Sequence, residues 1–182
     1  MKKTYASSQI IFHWLVFIMV VITYSAMEFK GLTPKGSSAR AMMALVHYTA
    51  GLGVLLLMMV RIVLKFIHST PEIVPMPPRW QIVVAKTVHI ILYIFFLALP
   101  LLGLFSLYFG QVEWSFLGIT MPVAGVLNKD IQHNLKELHE LIANTGYFII
   151  GLHAAAALFH HYIVRDNTLD RMLPLRKGRM PE

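Results

Sequence analysis

Four stretches of this chain are long and apolar enough to cross a lipid bilayer. They cover residues 8–29, 41–64, 82–109 and 131–164, the last beginning as a polar helix and turning apolar from about residue 138. A hydrocarbon core about 30 Å thick takes about 20 helical residues. Inside it each backbone N–H and C=O must be paired within its own segment, which leaves helices as the solution for stretches of this kind. The sequence therefore predicts an all-α, integral membrane four-helix bundle, with residues 1–182 as a single domain. Composition agrees, with 57% hydrophobic and 14% charged residues, where a soluble domain carries about a quarter charged. The first stretch ends in Glu28-Phe29-Lys30 without a small-residue cleavage pattern, so it is expected to be a retained helix and not a removable leader.

The links differ in kind. Residues 30–40, KGLTPKGSSAR, form a polar turn, and residues 68–80, HSTPEIVPMPPRW, carry four prolines and cannot continue a helix. Residues 110–130 mix Gly, Pro and aromatics in the manner of an interfacial segment. With both termini on one side, eleven of the 16 Lys and Arg residues and four of the nine acids share that side, which then carries the entire net charge of +7. The positive-inside rule puts both termini in the cytoplasm. The same distribution makes the basic character a matter of membrane topology and argues against nucleic-acid binding.

Nine histidines occur, and His13, His47, His89, His139, His153 and His160 fall within or at the ends of the apolar spans. His68, His133 and His161 belong to loops or the interface. Intramembrane ionisable groups are costly and mark functional sites. His139 and His153 lie within about 40° of one helical face and about 21 Å apart along it. Gly146 falls midway on that face, where it would let a flat macrocycle approach the backbone or let two helices pack closely. By depth, His47 matches His139, while His13 on the inner side could face His153 or His160, with His160 slightly the better match from the membrane edge. His160 competes with His153, but a His139–His160 span of about 31 Å separates two sites by a whole bilayer, so His153 is preferred.

Four imidazoles pairing across three helices suit two haems, each with one axial ligand from either side. A proton relay or an ion pathway is the other reading of buried histidines. Zinc fits poorly, since its ligands gather within a few residues. The chain has no cysteine, which excludes disulfides, thiolate metal sites and covalent haem attachment.

The segments IFHWLVFIMV, GLGVLLLMMVRIVLKF, LGITMPVAG and GYFIIGLHAAAALFHHYIVRDNTLDRMLP together resemble the bacterial cytochrome b561 family. The GLHAAAALFHHY run and the NTL-x-RMLP tail look like its superoxide oxidase branch. The resemblance covers nearly the whole chain and implies a four-helix bundle in the bacterial inner membrane with two non-covalent b haems. It implies His13 and His153 as ligands of the inner haem, and His47 and His139 as ligands of the outer one. It also implies a superoxide:ubiquinone oxidoreductase, an enzyme whose partners are superoxide, ubiquinone and the lipid bilayer, with no obligate protein partner. Two other functions compete: a cytochrome b subunit anchoring a larger dehydrogenase or hydrogenase complex, and a haem-free histidine-containing ion transporter.

Supporting residues follow from position. Arg61 shares the face of His47 about 21 Å deeper, where it would meet a haem propionate or a quinone carbonyl, or snorkel to the headgroups. His160 is the expected proton donor at a quinone site, because imidazole titrates in the physiological range. Trp14, Arg79, Trp80 and Lys86 would complete that quinone slot, although tryptophans at this depth also serve as interfacial anchors. His89 is expected near the inner haem without ligating it. On the outer side Lys30, Lys35 and Arg40 would steer superoxide, and Tyr48 and Lys136 would meet propionates. The methionines are packing residues, Lys65 is a snorkelling anchor, and residues 165–182 are a basic anchor.

Overall fold

Arg40 shows why the first link is shorter than its composition suggests. Its Nη1 donates to Lys30 O (2.8 Å) and Thr33 O (3.0 Å), filling carbonyls that the end of the first helix leaves open. Its backbone N–H meanwhile donates to Ser37 Oγ (3.2 Å), the N-cap of the next helix. One side chain thus fastens two helix ends, and the link contracts to residues 33–37. The structure, a computed structural model, describes residues 4–174. Its helices are α1 Ser7–Leu32, α2 Ser38–Ile67, α3 Arg79–Phe109 and α4 Lys129–Phe159. α4 continues as a π-helical turn, His160–Val164, and a short 3-10 turn, Asp170–Met172, follows. Each of the four helices is long and apolar enough to span a membrane, so the chain adopts the expected all-α four-helix architecture.

The first three helices reach at least as far as their expected boundaries, whereas α4 stops at Phe159 and only its π-helical extension reaches the expected residue 164. α3 starts directly after Pro78, whose ring favours a helix entry. The α3–α4 link holds a small antiparallel hairpin, β1 Ser115–Phe116 with β2 Ile119–Thr120, in the register Ser115↔Thr120 and Phe116↔Ile119. Leu117 and Gly118 at its tip both have positive φ (49° and 84°), the twist that a two-residue hairpin turn demands. Buried Trp114 anchors this hairpin against Tyr48 of α2, with ring centroids 5.8 Å apart.

Successive helices run antiparallel: Gln9 meets Leu64 and Thr23 meets His47, Lys65 meets Tyr93 while Tyr48 meets Trp114 just beyond α3, and Ser106 meets Gln132 while His89 meets His153. Both described ends of the chain therefore meet at one end of the bundle, called here the terminal end; the hairpin marks the other. The core is narrow, built on Val16, Val20, Val54 and Met58. Large apolar side chains face outward instead, Phe66 being 86% and Phe148 80% exposed. In lipid such a surface has no reason to bury itself, so cohesion falls to van der Waals packing and interhelical hydrogen bonds. One such bond joins Tyr24 Oη of α1 to Ala143 O of α4 (2.9 Å).

The segment after α4 is not the simple basic anchor expected of it. Residues 165–174 fold back as a strap across the terminal end. Asn167 N–H donates to Val74 O (3.1 Å), and its Oδ1 accepts from Val74 N–H (2.9 Å), tying the strap to the proline-rich link. Trp14 Nε1 donates to Met172 O (2.9 Å). Arg171 is only 5% exposed; its Nη1 donates to Pro71 O, and its guanidinium lies 5.6 Å from the Tyr5 ring centre. Arg176, Lys177 and Arg179 lie outside the described residues.

Asp166 gives the strap a pH dependence. Burial pushes its carboxyl up, but hydrogen bonds from Thr168 and His160 outweigh that and hold it below the ordinary carboxylate range. A depressed folded-state pKa means that the ionised group stabilises the fold above its ordinary pKa of about 3.9, and that this stabilisation is lost as pH falls through the folded value. Hydrogen-exchange protection of the Thr168 amide, which donates to Asp166 Oδ1 (2.8 Å), should therefore be full near neutrality and collapse in acid. Unchanged protection at acid pH would show that the strap does not depend on this ion.

Candidate functional site

α4 carries the histidine stripe, and the two neighbours it needs come from α1 and α2. At the hairpin end His47 and His139 face each other with ring centroids 6.0 Å apart. At the terminal end His13 and His153 face each other at 6.4 Å. The bundle brings together the two ring pairs that depth and the spacing along α4 select between them.

Hydrogen bonds fix two of these rings. His47 Nδ1 lies 3.1 Å from Thr23 O, and His139 Nδ1 lies 2.9 Å from Leu99 O. A carbonyl only accepts, so Nδ1 carries the proton in both rings and Nε2 keeps a free lone pair. This is the arrangement that orients a metal-ligating imidazole. Gly103 on α3 makes room for His139: a Cβ there would lie 3.3 Å from His139 Cε1. His13 Nδ1 is buried without a hydrogen-bond partner.

The separations test what could lie between the rings. Two imidazoles bonded to one metal at about 2.0–2.1 Å from opposite sides place their centroids roughly 6.4 Å apart. Both pairs are close to that value. Among the described residues no three His, Cys, Asp or Glu side chains converge. A site with two imidazoles falls short of the four protein ligands of structural zinc but suits haem, whose macrocycle fills the other positions. The donor sets therefore fit bis-imidazole haem.

His89 crowds the terminal-end pair. Its ring centroid lies 5.3 Å from that of His153, shorter than an axial pair requires, and its Nδ1 lies 2.6 Å from Ala85 O. Gly146 has neighbours other than an open slot. A Cβ on it would lie 2.3 Å from both Phe95 Cζ and Tyr24 Oη, so the glycine is where α1 and α3 side chains press on α4 between the two pairs. Half-buried Arg61 and exposed Lys65 both stack toward Tyr93, at 5.8 and 4.9 Å from its ring centre.

The expected quinone residues do not gather into one slot. Arg79 and Lys86 are exposed, and Trp14 is engaged by the strap while its ring packs at 5.6 Å from His13. An apolar groove of about 380 Å³ does run along Trp14, Ile10, Ile11 and Leu15 on the outer face of α1. His160 pairs with Asp166 instead (Nδ1 to Oδ2, 2.6 Å). At the hairpin end Arg40 donates to helix carbonyls, which leaves its charge in place, and Lys136, expected at a propionate, lies 3.3 Å from Glu140.

Over residues 4–175 the sequence matches the family described as prokaryotic cytochrome b561. The chain belongs to that family. Cytochrome b561 homolog 1 of Escherichia coli (strain K12) is 49% identical over 95% of this chain and 98% of its own length. A protein of Yersinia pestis named probable superoxide oxidase CybB is 42% identical over 98% of this chain and 100% of its own. Cytochrome b562 of Cereibacter sphaeroides is 29% identical over 93% and 94%. This b561 protein is thus a bacterial membrane cytochrome of the b type, and its role is electron transfer.

Gly103, Leu99, Tyr24 and Asp166 escaped the sequence reading. Leu99 and Gly103 stand four residues apart on α3 and so share a face. That spacing was the available signal, and only the α3–α4 packing tells that His139 meets it.

Proposed function

We propose that this cytochrome b561 takes electrons from superoxide and delivers them to ubiquinone through two b haems, one held by His47 and His139 and the other by His13 and His153. The observation that carries the two-haem reading is the pair of two-imidazole sites at opposite ends of one α4 stripe. The superoxide and ubiquinone assignments draw support from the resemblance of the sequence to the superoxide oxidase branch and from the Yersinia pestis relative. The charge asymmetry supports termini in the cytoplasm, with the His47–His139 pair toward the periplasm.

When bound, haem supplies a one-electron carrier at each end. The chain holds it in place: Thr23 O and Leu99 O keep Nε2 of His47 and His139 available, and Gly103 clears space for the His139 ring. His47 with His139 and His13 with His153 would each hold such a group from two sides, and it would then supply electron transfer without binding oxygen. The balance is two superoxide ions oxidised to two O2, with two electrons and two protons converting ubiquinone to ubiquinol.

The test is purified protein with haem quantified per chain, mixed with superoxide and then with ubiquinone-1. Two low-spin haems per chain, reduced by superoxide and reoxidised with formation of ubiquinol, are expected. A single haem would overturn the ligand pairing. Haems that superoxide leaves oxidised, or that ubiquinone leaves reduced, would overturn the donor or the acceptor respectively.

A further inference from the structure

Four cations toward the terminal end stand without an acidic partner. Arg61 and Lys65 lie four residues apart on α2, a spacing at which like charges face each other and repel. Both approach the ring of Tyr93 on α3, Arg61 at 5.8 Å and Lys65 at 4.9 Å from its centre. Arg79 and Lys86 precede Tyr93 at intervals of seven residues, which puts all three within about 40° of one face of α3. The ion pairs among the described residues involve none of these four cations. An aromatic ring attracts a cation without neutralising it, so the charge is left for an anion from outside the chain.

Lys65 and Tyr93 also line an apolar groove of about 240 Å³ between α2 and α3, whose other walls are Ile62, Phe66, Ile90 and Ile94. Phe66, Ile90 and Ile94 are exposed, so the groove opens outward to the bilayer and not into the bundle. Lys65 is exposed as well, while Arg61 is half-buried and about 6 Å deeper along α2. Lys65 is therefore the cation that a molecule in the groove reaches. A lipid without net charge would cover the isoleucines and leave the ammonium without a counter-ion. A free anion would meet the ammonium and leave the groove uncovered. A phospholipid with a net negative headgroup does both, and basic pockets between membrane helices bind headgroups of that kind.

We propose that the α2–α3 groove binds an anionic phospholipid from the leaflet at the terminal end. Its acyl chain lies along Ile62, Ile90 and Ile94, and its phosphate meets Lys65. Lys86 and Arg79 continue the positive charge along α3 toward the headgroup layer. Lys65 then has a fixed partner, which a side chain merely stretched toward water does not. The site uses none of the proposed haem ligands.

The full-length, haem-loaded protein in detergent is given equal amounts of phosphatidylglycerol and phosphatidylcholine with identical acyl chains. Native mass spectrometry reads which lipid it retains. One interfacial lysine should favour the anionic lipid about fivefold. Lys65→Gln keeps the stem and removes the charge, so it should bring the two lipids close to level with haem content unchanged. Lys129→Gln, at an exposed position at the hairpin end, should keep the wild-type preference. Equimolar inorganic phosphate should leave phosphatidylglycerol bound. Wild-type protein that retains both lipids equally overturns the proposal, because the groove then takes chains without reading charge. A preference that survives in full in Lys65→Gln, or that Lys129→Gln lowers as much, also overturns it and marks a diffuse attraction to a basic protein. Displacement of the lipid by phosphate overturns it as well, since the anion then binds without an acyl chain.

Discussion

Alanine in place of His13 should strip the haem from the terminal end, while alanine in place of His89 should leave haem loading intact. Both rings approach His153, so the two variants discriminate between ligands that sequence position alone does not separate. The His13 centroid lies 6.4 Å from that of His153 and the His89 centroid 5.3 Å. Room for an iron between two ring nitrogens requires roughly 6.4 Å. The His89 ring is also exposed on the outside of α3, whereas His13 is half-buried between α1 and its neighbours with an Nδ1 shielded from solvent. Loss of an axial imidazole at one site should cost about half of the bound haem and leave the other site low-spin. Haem per chain and the reduced visible spectrum of each variant decide the matter. Full loading in His13→Ala together with half loading in His89→Ala would transfer the ligand role to His89.

Much of this site is legible in the sequence because helix geometry is rigid. A rise of about 1.5 Å per residue fixes the depth of every histidine once the spans are known, and short links make neighbouring helices antiparallel. Hence His47 with His139 follows from counting depth, and His13 with His153 from the spacing along α4, because depth alone slightly favours His160. What counting misses is lateral. Leu99 O and Gly103 reach His139 from α3, and which face of α3 meets α4 depends on packing across the bundle. Asp166 and Arg171 look like tail charges because a run of polar residues after an apolar helix usually meets solvent. Their burial depends on a single left-handed residue, Arg165, and on acceptors in the distant segment around Pro71 and Val74. Arg79 and Lys86, expected beside Trp14, stand exposed on α3 for a similar reason. Equal depth does not bring side chains on different helices to the same face.

Leucine at Gly146 should damage both imidazole pairs, and with them both proposed haem sites, although the residue belongs to neither pair. A Cβ there would already lie 2.3 Å from Phe95 Cζ and from Tyr24 Oη, and 3.1 Å from Phe95 Cε2. Neither neighbour yields easily. Phe95 is 5% exposed, and Tyr24 is held by its bond to Ala143 O and by the Tyr147 ring 4.8 Å away. Overpacking of this kind costs typically about 1–3 kcal/mol, and the relief available is for α4 to move off α1 and α3. His139 and His153 lie on either side of Gly146 on the same helix, so that movement widens both imidazole pairs together. Gly151 provides the control, since nothing lies within 4 Å of a Cβ placed there. Leucine at Gly151 removes a helix-interior glycine, worth about 0.8–1.0 kcal/mol in propensity, and turns a side chain outward to lipid. Thermal release of haem from detergent-solubilised protein should shift to lower temperature for Gly146→Leu and stay level or rise for Gly151→Leu. If Gly146→Leu instead binds both haems with the wild-type spectrum and release temperature, α4 does not depend on close contact at its midpoint to keep the two pairs in register.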